Sequence, residues 1–169
     1  MRLPSQTNSL IVTSIVGLLL VALNLNPMAG YSVANAAANP DSVNPCKLVT
    51  AAEAQSALGM PVSAGVFMDD NIFRHCTFTG TTETGSGKPY VTISLISKDK
   101  ATFDKMNSTD FERATGTTLD AFFYRASPWV TVWHNGNELQ IQISFNNDAG
   151  KARAKTEELK LADIAVTRF

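Results

Sequence analysis

Trp129-Val130-Thr131-Val132-Trp133-His134-Asn135-Gly136-Asn137-Glu138-Leu139-Gln140-Ile141-Gln142-Ile143-Ser144-Phe145 decides the fold. Asn-Gly between two alternating runs signals a two-residue type I′ hairpin, because both turn residues must adopt positive φ. That turn sets the register. His134 stands opposite Asn137, Val132 opposite Leu139 and Val130 opposite Ile141. Ile143 and Phe145 continue the apolar face, which must be the core. The other face carries Trp129, Thr131 and Trp133 against Gln142, Gln140 and Glu138. Two tryptophans on a polar sheet face make a candidate ligand or partner surface, since Trp offers a large rigid area with an N–H handle. Tyr90, on the outward parity of its own strand, extends that surface to Tyr90, Trp129, Thr131 and Trp133. The competing reading is that a helix, the 80–88 loop or the N-terminal tether covers the pair. A third is that Trp serves only to pair with Thr and Gln across strands.

Upstream of the hairpin, three strands are predicted at Val62–Phe67, Arg74–Thr79 and Tyr90–Ser97. In the third, Val91, Ile93 and Leu95 alternate with Thr92 and Ser94. The Thr-, Gly- and Ser-rich stretch 80–88 is a hairpin loop. Thr50-Ala51-Ala52-Glu53 fits a capping box, followed by an Ala-rich helix to Leu58 that Gly59 stops and Pro61 keeps stopped. Asp99 caps a second helix, Lys100–Met106, with Phe103 and Met106 on one face. A strand is predicted at Phe122–Ala126, and Asp148 opens a last helix over Ala149–Ala162. The order is α-βββ-α-βββ-α. Strand runs joined by hairpins predict an α+β domain, an antiparallel sheet with helices packed on one face.

Ahead of this domain, Leu10–Leu25 is almost wholly apolar and follows Arg2; small residues then lead to Ala34-Asn35-Ala36. This is the layout of a secretory signal peptide spanning 1–36. The rival, a retained anchor, has only about 16 apolar positions where a spanning helix wants about 20. Residues 37–45 then form a small, polar, Pro-containing tether before a single domain over 46–169. The expected location is periplasmic or secreted, with no stable membrane insertion after cleavage. Removing the leader removes Arg2 alone among the charged residues, leaving 13 basic against 15 acidic side chains. That balance offers no footprint for nucleic acid.

Export also decides how the two cysteines are read. Outside the cytosol, Cys46 and Cys76 read as one disulfide, the alternative being two free thiols. There is no Cys-x-x-Cys, so a redox pair is disfavoured.

Chemistry is scarce. His75 and His134 are the only histidines, and neither sits in a nucleophile motif. A small envelope hydrolase using His75 or His134 is therefore the alternative and not the leading reading. No zinc spacing is present. Asp69-Asp70-Asn71 concentrates oxygen ligands but lacks the Gly and distal Glu of a calcium loop. Gly85-Ser86-Gly87-Lys88 fails the phosphate-loop pattern at Thr82 and Pro89. Neither a cofactor nor a metal is expected, and no catalytic residue is assigned. Asn107-Ser108-Thr109 is a formal glycosylation sequon.

Asn44-Pro45-Cys46-Lys47-Leu48-Val49-Thr50-Ala51-Ala52-Glu53-Ala54, then Leu58-Gly59, resembles a family of small bacterial secreted domains and lipoproteins of unknown function. They open on Pro-Cys-x-Leu-Leu-Thr-x-x-Glu-Ala. The resemblance implies a second cysteine in an early strand, as in Cys76-Thr77-Phe78, a disulfide between the two, and an α+β sandwich. It implies no reaction. This chain lacks the lipobox cysteine, so anchoring does not carry over. The expectation is an exported, non-enzymatic binding module for a protein, glycan or small apolar ligand. A structural accessory subunit or a secreted enzyme inhibitor are the further alternatives.

Overall fold

A computed structural model describes residues 42–70, 73–83, 87–106 and 109–169. The leader 1–36, tether residues 37–41, the sequon asparagine, Asn71 and the centre of the 80–88 loop lie outside the described residues. The described chain belongs to one unit.

Seven strands form one sheet: β1 (Val66–Asp69), β2 (Arg74–Thr79), β3 (Tyr90–Ile96), β4 (Phe111–Arg113), β5 (Asp120–Tyr124), β6 (Trp129–His134) and β7 (Asn137–Ser144). Their order across the sheet is β1-β2-β3-β7-β6-β5-β4, and every neighbouring pair is antiparallel. Among the described residues three α-helices complete an α+β fold: α1 (Ala51–Leu58), α2 (Lys100–Asp104) and α3 (Asp148–Val166). The hairpin register is the one the Asn-Gly turn dictates, with His134 opposite Asn137 and Val130 opposite Ile141. Asn135 and Gly136 take φ of 46° and 80°, the two positive values a type I′ turn needs.

The main core lies on one side of the sheet. Cys76, Phe78, Val91, Ile93, Leu95, Val130, Val132, Leu139, Ile141 and Ile143 line it from the strands. Helix α3 covers it with Ala154, Leu161, Ala162 and Ala165, a stripe at helical spacing, and α1 adds Ala54, Ala57 and Leu58. The capping box forms as read: Glu53 N–H donates to Thr50 Oγ1, and Thr50 N–H donates to Glu53 Oε2 at 2.7 Å. Arg168, near the C-terminus, donates to both Glu53 oxygens at 2.7 and 2.6 Å and to the Leu48 carbonyl. That guanidinium, aided by the Thr50 contacts against a burial penalty, holds the Glu53 carboxyl down at about 2. A Cys46–Cys76 disulfide ties the start of the domain to β2 across 30 positions.

The sequence reading needs four corrections. The first strand runs Val66–Asp69 instead of Val62–Phe67. Val62 bridges Gly80 and Val66 pairs with Thr77, so Ala64 and Gly65 together oppose the single residue Phe78. This is a β-bulge, and it splits the run. Gly65 is required there, because a Cβ would stand 2.6 Å from Cys76 Sγ and 2.8 Å from the Phe78 ring. Secondly, an extra strand, β4, pairs with β5 outside the βββ expected after α2, while β5 begins at Asp120 and stops before Arg125. Thirdly, the helices do not share one face. Phe103 of α2 lies 5.5 Å from both Phe122 and Trp133, which belong to the face opposite the main core. Fourthly, the packed chain starts before Cys46: Pro45 is buried, and Asn44 Oδ1 caps a 3-10 turn by accepting from Cys46 N–H at 2.9 Å.

Candidate functional site

The outer face of the sheet divides into a covered half and an open half. Under α2, Phe103, Phe122, Ile96 and Trp133 form a small second cluster. At its base is Glu138, which is completely buried. Glu138 Oε1 accepts from Thr131 Oγ1 and from Gln140 Nε2, both at 2.7 Å, and Oε2 lies 2.9 Å from Lys98 Nζ. A buried carboxylate is tolerable only when paired and hydrogen-bonded, and this one is. Its oxygens are engaged and shielded from solvent, so it organises the face and does not meet a ligand. Lys100 lies over the Phe103 and Trp133 rings and bonds Asp104 and Asp120, clipping α2 to β5.

The four residues read as a binding surface fall on both sides of this division. Trp133 is half-buried beneath Phe103, and Thr131 is 1% exposed, its hydroxyl held by Glu138. Trp129 is half-buried against Tyr124, ring centroids 5.3 Å apart. Its indole nitrogen is buried and without a hydrogen-bond partner among the described residues. Tyr90 stands half-exposed opposite Ser144. The structure thus brings Thr131 and Trp133 together with Glu138, and leaves Tyr90 and Trp129 on either side of β7. Between and beside them run Gln142, Thr92, Ser94 and Thr77, with the Thr77 and Thr92 hydroxyls 3.0 Å apart.

Only His134 is apart from both regions; His75 lies on the open half beside Ser94. His75 sits between Met68 and Ser94 on neighbouring strands. His134 ends β6 beside the Phe169 ring. Among the described residues no three His, Cys, Asp or Glu side chains come together as a metal site. No described helix is long and apolar enough to cross a membrane.

The most exposed apolar surface lies elsewhere, at the β1 edge. Val66, Phe67, Met68 and the neighbouring Phe73 are 57%, 40%, 54% and 41% exposed. Every residue of β1 is exposed, and among the described residues the strand has a partner on one side only. The Asp70 N–H to Phe73 carbonyl bond fixes the ladder phase. Alternation then turns the Phe67 N–H and C=O away from β2, toward the open edge. Arg74 lies over the Phe67 ring, 5.5 Å from its centroid, on the core side, while Val66 and Met68 take the other side. β1 is short and follows a bulge, which limit an edge, but Val66-Phe67-Met68 carries none of the Lys, Pro or inward charge that guards many natural edge strands. The uncharged run in 62–67 was visible in the sequence, but not that it would stand at an edge.

Comparison with family models, with curated proteins and with solved structures finds no match for this chain.

Proposed function

We propose that the chain is an exported, non-enzymatic binding module that docks an extended segment of a partner protein by strand addition at β1. The apolar, one-sided edge strand carries this reading: an added strand finds outward backbone groups at Phe67 and apolar side chains on both faces. The disulfide supports a non-reducing destination, and the leader pattern supports export. The Pro45-Cys46 to Glu53-Ala54 opening supports kinship with small exported bacterial domains.

Affinity capture from envelope extract tests the proposal, comparing the wild type with three variants. Phe67→Pro removes the outward N–H and leaves the β1–β2 ladder intact. Val66→Lys with Met68→Lys adds edge charge. Trp129→Ala leaves the edge alone. A partner lost with the first two and kept with the third supports strand addition. A partner kept with Phe67→Pro, or none captured, counts against it.

A second reading has its own observation. Tyr90 and Trp129 remain half-exposed on either side of the Gln142 and Thr92 row, an arrangement of rings and hydroxyl or amide groups suited to a glycan. In the same comparison, loss of ligand with Trp129→Ala alone favours this face.

A further inference from the structure

At the opposite side of the sheet from β1, a cleft of about 240 Å³ opens between the turn joining β5 to β6 and the first turns of α3. Among the described residues its wall contains Arg125, Lys151 and Lys155, with Ser127, Tyr124 and Pro128 among the rest, and no carboxylate. Lys151 and Lys155 are four apart on α3 and so lie on one side of the helix, facing the turn that bears Arg125. Arg125 is positioned at both ends: its backbone N–H donates to the Asp110 carbonyl at 2.9 Å, and its Nε donates to the Phe111 carbonyl at 3.3 Å. Three cations from two elements around one small concavity make a net positive site in a chain whose overall charge is slightly negative.

The lysines have carboxylate neighbours outside the wall. Lys151 Nζ lies 3.3 Å from Asp148 and Lys155 Nζ lies 3.1 Å from Glu112, and all four side chains are exposed. Exposed pairs of this kind contribute little, so an incoming anion exchanges readily for them. Lys155 Nζ also lies over the Phe123 ring, 4.9 Å from its centroid. A guanidinium with two ammonium groups suits a compact dianion whose oxygens spread over several donors.

We infer that the cleft between the β5–β6 turn and α3 binds a phosphate group, with Arg125, Lys151 and Lys155 as its ligands. The phosphate belongs to a small ester or to a lipid headgroup. The site is independent of the β1 edge.

Calorimetric titration with inorganic phosphate at fixed ionic strength tests the inference, with chloride and acetate as controls. Saturable binding of phosphate is expected, weakened about tenfold or more by Arg125→Gln or Lys151→Gln and abolished when Lys155→Gln is added. Lys160→Gln, on another part of α3, leaves it unchanged. Thermal melting confirms that these exposed substitutions keep the fold. Vesicles of phosphatidylcholine with and without phosphatidic acid form the second arm. Binding to the acidic vesicles alone, lost in the triple variant, assigns the phosphate to a headgroup. Phosphate binding without vesicle binding assigns it to a soluble ester. No binding in either arm, or binding unaffected by the triple variant, overturns the inference.

Discussion

Glu158 carries the largest unresolved cost at the level of single residues. It sits on the buried stripe of α3, wholly shielded, where β6 starts only at Trp129 and leaves the Ile143 N–H to the Glu158 carboxylate at 3.0 Å. The second oxygen has no hydrogen-bond partner among the described residues. Burial pushes its carboxyl up to about 7, against smaller opposing effects of the Ile143 N–H and the Lys155 charge. A carboxyl whose pKa is higher folded than unfolded favours the folded state when protonated. The Glu158 contribution to stability is therefore fully present below about 4.5 and is lost as pH rises from there through about 7. The loss amounts to about 3 kcal/mol. Glu158→Gln is expected to flatten that slope, raising stability at pH 8 relative to the wild type. Chemical denaturation at pH 5 and pH 8 checks this, and a slope that survives the substitution contradicts it. The sequence separates Glu158 from Glu157 only by phase: Glu158 falls four after Ala154 and three before Leu161, on the apolar stripe of the helix.

Among elements, α2 settles what the outer face presents. Asp99 caps it as the sequence indicated, its carboxylate accepting from the Thr102 N–H and hydroxyl. Which face of the sheet it would cover was not legible from the helix, because Phe103 suits either. The legible sign lay in β5: Ala121, Phe122 and Phe123 are consecutive, apolar and all buried, and a strand apolar on both sides needs cover on both. β4 escaped reading for the opposite reason. Phe111-Glu112-Arg113 is short, and two of its residues are charged and exposed, so only its ladder with β5 defines it. The bulge at Ala64-Gly65 likewise depends on what the strand meets across the ladder. The β6–β7 hairpin was legible throughout because its turn residues alone fix its register. Phe103→Ala is expected to cost about 3 to 5 kcal/mol. It also uncovers Trp133, so intrinsic emission moves to the red and acrylamide quenches it more readily. An unchanged spectrum argues against α2 as the cover.

On the scale of the whole molecule, two arginines tie the covering helices to each other and a disulfide ties them to the sheet. Arg153 donates to the Leu58 carbonyl at 2.9 Å and Arg168 grips Glu53, joining α3 and the C-terminal residues to α1. The disulfide then joins the segment entering α1 to β2, the neighbour of the exposed edge. A closure of this length is worth about 3 to 4 kcal/mol. Replacing both cysteines with serine is expected to lower the melting temperature by about 10 °C. The staple was legible from the leader-like pattern of the first 36 positions and the cysteine count, whereas the edge beside it was not. The fold class and the central register follow from local turn and alternation chemistry. The position of β1 at the end of the sheet is a property of the assembled topology.

Strand addition at that edge is the central claim, and hydrogen exchange measured on the domain alone and with its captured partner tests it most directly. In the free domain the outward Phe67 amide exchanges rapidly, while the Val66 and Met68 amides, on the β2 side, are already slowed. The account predicts that the partner slows the Phe67 amide strongly and leaves the Tyr90, Trp129 and Gln142 region as it was. Protection confined to that region, with Phe67 still exchanging freely, would contradict it.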